Sequence, residues 1–300
     1  MKTILYVNYW QSNGDIQDRW LTKFIEVNMD IKLVEISLTD NQKPDILVSS
    51  CFGNIDNLVK YKDVKLKIFF YGENLNRFPP YNNINLLKSF FDVIIGFKYT
   101  DKNNKLFRLP LWMTYYDFYN LTDNNNNIIT FLEKSYRENI YKNKNICALI
   151  ASHDMNGIRT KIYNEVIRYT NVNCPGNFNN NCKKIGNTCK DKINFLKDYK
   201  YNICPENSRF EGYFTEKIFQ SLQMGCIPIY WGTDYPEKDI LNKQSYCFVN
   251  IENECIMKEQ LNNLFSNTDN FIVDRLFNTN ANDVLHTYYN DIISEIKKYI

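Results

Sequence analysis

Three hundred residues, 44% of them hydrophobic, exceed what one compact core needs and suffice for two packed domains. Lys and Arg number 36 against 34 Asp and Glu; the net charge of +2 therefore sets up no long-range field to gather nucleic acid or anionic membrane, and any anion must be bound by local groups. The two histidines, His153 and His286, are too few and too far apart for a His-rich metal site or a Ser-His-Asp triad.

The N-terminus carries one lysine and a short apolar run broken by Asn8, which is neither a signal peptide nor a membrane span. Short β-rich runs follow at Thr3 to Val7, Ile31 to Ile36, Asp45 to Ser49, Leu66 to Tyr71 and Asp92 to Gly96. They alternate with helix-like stretches such as Asp15 to Val27. The run Lys67-Ile68-Phe69-Phe70-Tyr71 is apolar on both faces, as expected of a strand covered by helices, and it ends in Gly72-Glu73-Asn74. Between Asp117 and Asn145 the pattern lapses into polar sequence, including the run Asn124 to Asn127, before a helix-like stretch from Ile129 to Tyr141. A domain boundary is expected there.

A second β/α series runs through a strand at Asn145 to Ser152, helices at Gly157 to Tyr169 and Lys190 to Asp198, and a strand at Lys200 to Cys204. A helix at Glu216 to Met224 and strands at Ile227 to Trp231 and Tyr246 to Asn250 complete it. Asp283 to Ile300 is helical in period, and the sequence leaves open which domain it packs on. The fold class is α/β, best met by two doubly wound domains facing a cleft.

Nine cysteines form no matched set. Cys147, Cys204, Cys226 and Cys247 lie in apolar runs, where free thiols act as small hydrophobes, and this favours a reducing compartment. Cys174, Cys182 and Cys189 match no common zinc spacing, so no metal is expected there. The 22 Tyr and 20 Phe come without a Lys/Arg cluster, which argues against a nucleic-acid surface. The Asn-, Ile- and Lys-rich vocabulary is that of an AT-rich genome.

Thr215-Glu216-Lys217 opens a helix: Thr215 suits the N-cap, Glu216 the positive end of the dipole, and Gly225 the C-terminal cap. A helix N-terminus with a lysine beside it binds phosphate. The string from Asn202-Ile203-Cys204-Pro205-Glu206-Asn207 through Gly212-Tyr213-Phe214-Thr215-Glu216-Lys217 to Gly225-Cys226-Ile227-Pro228-Ile229-Tyr230-Trp231-Gly232 resembles the donor-site signature of the α-1,3-fucosyltransferases.

That resemblance implies two Rossmann-like domains of the GT-B type, with an acceptor-side domain and linker at 1–143, a GDP-fucose-binding domain at 144–280 and a C-terminal helix at 281–300. Carried over by position, Asn207 and Lys217 contact the pyrophosphate, Glu216 accepts from the ribose hydroxyls and Tyr213 lies near the guanine. Arg159, in Ser152-His153-Asp154-Met155-Asn156-Gly157-Ile158-Arg159, matches the family's second pyrophosphate cation. The sequence holds no Asp-x-Asp, so departure of the diphosphate is expected to rely on these fixed cations, with no metal and no cofactor beyond the donor substrate GDP-fucose. Phe70-Tyr71-Gly72-Glu73-Asn74 resembles the first-domain motif whose Glu is the base, here Glu73, and Phe91 to Phe97 and Arg108-Leu109-Pro110-Leu111 keep the family's order.

The resemblance runs from about Leu66 to Asn250; Phe214 and the stretch from Asn173 to Lys190 depart from it, and the first sixty or so residues match nothing. The expected activity is inverting transfer of L-fucose to a sugar hydroxyl, the 3-hydroxyl of N-acetylglucosamine, by a soluble enzyme without a membrane anchor, working in a cytoplasm. A GT-B transferase using another nucleotide sugar, and a catalytically silent glycan- or nucleotide-binding protein, are the readings it competes with.

Overall fold

The computed structural model describes residues 1–10, 19–40, 42–119, 127–140, 145–154, 156–233 and 235–300. The chain divides into two compact units. The first comprises Met1–Ile128, Glu211–Tyr213 and Asp283–Ile300, and the second Ile129–Phe210 and Phe214–Asn282. The start of the helix expected from Asp15, most of the Asn124 to Asn127 run and the boundary expected at 143 lie outside the described residues.

In the first unit the strands are β1 (Lys2–Val7), β2 (Leu33–Glu35), β3 (Ile46–Ser49), β4 (Leu66–Tyr71), β5 (Val93–Gly96) and β6 (Leu106–Arg108). They form one sheet in the order β2-β1-β3-β4-β5-β6, every neighbouring pair parallel. Helices α1 (Trp20–Met29) and α2 (Ile84–Phe90) belong to the same unit. Successive side chains of a strand face opposite ways, and β4 uses both faces. Phe70 meets Trp20 of α1 at 4.9 Å between ring centroids, while Phe69 meets Phe91, just past α2, at 5.0 Å. This is the two-sided burial that the Phe69-Phe70 run predicts.

Helix α3 (Ile128–Asn139) leads into the second unit, whose elements continue with β7 (Asn145–Ala148), α4 (Ile158–Val166), β8 (Val172–Asn173), α5 (Cys189–Leu196) and β9 (Tyr199–Ile203). Helix α6 (Glu216–Gln223), β10 (Ile227–Tyr230), β11 (Cys247–Phe248) and α7 (Glu254–Ser266) follow. The sheet order is β11-β10-β9-β7-β8, again parallel throughout. Cys147 and Leu149 pack with Ile162 and Val166 of α4 and Met257, Leu261 and Leu264 of α7. Ala148 turns the other way, toward Leu196 of α5 and Cys226. Helices therefore cover both faces, as a doubly wound sheet requires.

Helix α8 (Ala281–Ile296) lies almost wholly in the first unit, where Tyr289 packs on Phe24 of α1 at 5.3 Å. In both sheets the first strand lies between the second and the third, which is the flavodoxin-like order. Its switch point falls between β1 and β3 in one unit and between β7 and β9 in the other. All nine cysteines carry free thiols, and Cys147, Cys204, Cys226 and Cys247 are buried. Among the described residues no helix is long and apolar enough to cross a membrane.

Gly225 ends α6 with φ +63°, and a Cβ there would meet the backbone of Asn139 and Ile140 at 2.6 Å. Gly157 has φ +80° but no described atom within 4 Å of that position. Gly157→Ala is therefore expected to cost about 1 kcal/mol, the strain of a left-handed backbone alone, whereas Gly225→Ala adds a backbone collision and should exceed about 2 kcal/mol. Urea unfolding of both variants measures the difference, and equal losses would contradict the close approach to α3.

Candidate active site

The second unit's site begins where β7 and β9 end. The β9/β10 ladder continues past its strands through Cys204 N to Ile229 O (3.0 Å) and Glu206 N to Trp231 O (2.8 Å), which fixes the backbone that presents Glu206 and Asn207. Glu206 is fully buried. Its Oε1 accepts from Thr215 N at 2.8 Å; its Oε2 accepts from Thr215 Oγ1 at 2.7 Å and from Lys217 Nζ at 3.3 Å. Burial pushes the Glu206 carboxyl above its ordinary value, and the Lys217 ammonium is the largest influence against that rise.

Thr215 stands at the N-cap position of α6, as the sequence predicts, yet its side chain makes no capping bond. Its hydroxyl turns back to Glu206 and accepts from Lys217 Nζ at 2.7 Å. A hydrogen bond to an ionised, buried acceptor is stronger than one between neutral groups, so the carboxylate wins the hydroxyl from the helix.

Lys217 is thereby held from two sides. It also lies 3.9 Å from Glu216 Oε1. Burial alone would raise the Glu216 carboxyl, but the Lys217 and Lys192 ammonium groups, together with hydrogen bonds, outweigh it and hold the group below the ordinary carboxylate range. Glu216, Lys217, Lys192, Arg159, Gln220 and Asn202 line a narrow pocket of about 70 Å³. Three cations against one lining carboxylate suit it to an anion.

Arg159 enters from α4. Asp154 Oδ1 accepts from Arg159 N at 2.9 Å and Thr160 N at 3.3 Å, anchoring the helix start. The buried guanidinium donates through Nη1 to His153 O and through Nη2 to Asn207 Oδ1 at 3.0 Å. Burial lowers the Arg159 pKa, with Asp154 and Glu206 opposing. Arg159 and Asn207 thus form one unit, a link the sequence does not reveal. His153 is exposed, with Nδ1 2.9 Å from Ser152 Oγ.

The other two expected site residues, Glu73 and Tyr213, come together in the first unit. Glu73 follows β4 past Gly72, whose missing Cβ leaves room for Leu111, 2.6 Å from where it would stand. The carboxylate is partly open, 3.9 Å from Arg77 Nη1 and 3.5 Å from the Tyr213 hydroxyl, the outer limit of a hydrogen bond. Tyr213 is buried, its ring edge-on to Phe97 at 5.2 Å between centroids. The structure therefore groups Tyr213 with Glu73, while Arg159, Asn207, Glu216 and Lys217 gather in the second unit.

Sequence reasoning also gave no role to an aromatic surface at the C-terminal edge of the first sheet. Trp10, after β1, lies 4.7 Å from the ring of Phe52, after β3, and Phe52 lies 5.5 Å from Phe78, after β4. Phe52 is 39% exposed. The rings are far apart in sequence, and only the parallel order of the strands unites them.

The profile described as glycosyltransferase family 10 (fucosyltransferase), C-terminal, matches residues 140–273, and that described as the N-terminal domain of alpha-(1,3)-fucosyltransferase FucT matches residues 4–115. The alpha-(1,3)-fucosyltransferase FucT of Helicobacter pylori is 30% identical over 240 residues, 70% of this chain and 46% of the relative, so the chain spans about half the length of that protein. A crystal structure of an alpha1,3-fucosyltransferase with GDP-fucose superposes with a TM-score of 0.65 at 20% identity, covering 99% of this chain and 90% of the other. The Anabaena protein HepE, solved with UDP and glucose, superposes with a TM-score of 0.58 at 9% identity, covering 99% of each. These likenesses establish the GT-B fold, and with both halves of one family matched in order along its length, the chain belongs to glycosyltransferase family 10, the fucosyltransferases.

Proposed function

We propose that the protein transfers L-fucose from GDP-fucose to a sugar hydroxyl with inversion, and that the acceptor is the 3-hydroxyl of an N-acetylglucosamine unit. The observation that carries the donor half is the convergence of Arg159, Asn207, Glu216 and Lys217 around the end of β9 and the start of α6. Arg159 and Lys217 neutralise the charge that develops on the departing diphosphate, so no metal is required. Asn207, held by Arg159, contacts the same group, and Glu216, whose carboxyl Lys217 and Lys192 help to hold below its ordinary range, accepts the ribose hydroxyls.

Glu73 is the proposed base, taking the acceptor's proton as its oxygen attacks the anomeric carbon. Tyr213, assigned to the guanine by resemblance, has its hydroxyl 3.5 Å from Glu73 Oε2, and its proposed place is beside the base. The acceptor's glycan nature is supported by the rings of Trp10, Phe52 and Phe78, because the apolar face of a pyranose packs on aromatic rings. Free, mostly buried thiols are compatible with a reducing cytoplasm.

Incubation with GDP-fucose and a panel of acceptor oligosaccharides, followed by linkage analysis, tests the whole reading; turnover of a different nucleotide sugar in preference to GDP-fucose would replace the donor. Glu73→Gln is expected to lower kcat by about 10²- to 10⁴-fold while the Kd for GDP stays within twofold of wild type. Full activity in that variant would remove Glu73 from the mechanism. Phe52→Ala should raise the acceptor KM by about two- to tenfold and leave the GDP-fucose KM unchanged, as measured by varying each substrate in turn.

A further inference from the structure

We infer that Glu206 is a positioning residue for the leaving diphosphate: its buried carboxylate, working with the Thr215 hydroxyl, fixes the Lys217 ammonium on the lining of the donor pocket. The inference rests on the donor-site reading above and adds to it a residue that contacts no substrate.

A lysine is a poor fixed charge unless something holds it. Its four-carbon stem has many rotamers, and its ammonium can point along many directions. Here two partners remove that freedom, Thr215 Oγ1 at 2.7 Å and Glu206 Oε2 at 3.3 Å, and the first of them is itself pinned by Glu206. The carboxylate cannot drift, because its Oε1 is taken by Thr215 N and its backbone is locked into the β9/β10 ladder. A fully buried glutamate with this set of partners fixes two things, the Thr215 backbone at the start of α6 and the location of Nζ.

Glutamine at position 206 separates position from charge. If its carbonyl oxygen keeps the bond from Thr215 N, its amide nitrogen faces Lys217 Nζ, donor against donor. If the amide flips, the nitrogen opposes Thr215 N instead. No orientation serves both. The positive charge of Lys217 survives in either case, so an account based on charge alone predicts that removing a neighbouring carboxylate tightens GDP binding. The positioning role predicts the opposite sign.

The test is GDP binding by calorimetry for Glu206→Gln, Lys217→Ala and the double variant, with thermal unfolding alongside. Glu206→Gln should weaken GDP at least fivefold. The double variant should bind within twofold of Lys217→Ala, because the two residues act through one group. Tighter or unchanged binding in Glu206→Gln, or effects that multiply in the double variant, overturns the inference. Lys217→Ala with wild-type GDP affinity overturns the donor-site reading instead. Should Glu206→Gln not fold, Thr215→Val and Thr215→Ser decide the matter: loss of affinity in the first and retention in the second are expected, since only serine keeps the bridging hydroxyl, and equal affinity in both counts against the role.

Discussion

Each strand pairing in both units is parallel, and that single constraint decides where chemistry can occur. Parallel neighbours require a crossover that returns the chain to the starting edge, so all C-terminal strand ends open on the opposite edge. The faces of both sheets are covered by apolar packing, which leaves that edge as the place where polar groups can be both fixed and reached. Trp10, Phe52 and Glu73 follow β1, β3 and β4; Arg159 follows β7, and Asn207 and Lys217 follow β9. In each unit these residues cluster near the strands that flank the switch point.

An almost neutral chain must concentrate charge locally to bind an anion, and the second unit does so at the expense of burying it. Taking a charge out of water is expensive unless its partners are well placed. Arg159 meets this with a main-chain carbonyl and an amide oxygen, both neutral acceptors, while the nearby charges of Asp154 and Glu206 oppose the effect of its burial. Lys217 instead faces the Glu206 carboxylate, which cancels part of its charge but holds it in place. The two cations are therefore complementary: one supplies field, the other a charge at a fixed point.

Nine of the eleven described strands were legible because each rests on a local pattern of β-branched and aromatic residues that a sheet buried on both faces demands, whereas β6 and β8, three and two residues long, are too short to show one. The structure returns every one of those runs as a strand, shortened by a residue or more at half of the ends and extended by one residue at the starts of β1 and β9. Helices α2 and α7 were missed, since their apolar spacing is weak, although Asn83 and Asn253 cap them through bonds to Leu86 N and Ile256 N. Within the site, the residue types were readable but their partners were not. Thr215 has the right identity and place for a cap, and only a carboxylate nine positions earlier diverts it. Tyr213 lies in the donor motif by sequence, but it is packed on Phe97 beside Glu73. Neither outcome follows from spacing, because both depend on which segments the fold brings together.

The asparagine-rich composition is accommodated by the same logic at helix starts and turns. Asn54, Asn74, Asn83, Asn242 and Asn253 all accept from main-chain N–H groups at the openings of helical segments, where this side chain is among the best available. Asn8, Asn156 and Asn179 adopt the left-handed backbone that most other residues resist. Asn8 then serves the first unit's switch point directly, donating to Asn54 O at 2.8 Å and to the Tyr81 hydroxyl at 2.9 Å while accepting from Asn57 at 3.0 Å. Aspartate could cap the same helices, but at Asn8 it could not donate, and two of those three bonds would be lost. The amide's mixed donor and acceptor character is what lets a biased composition build the loops beside Glu73 without adding charge there.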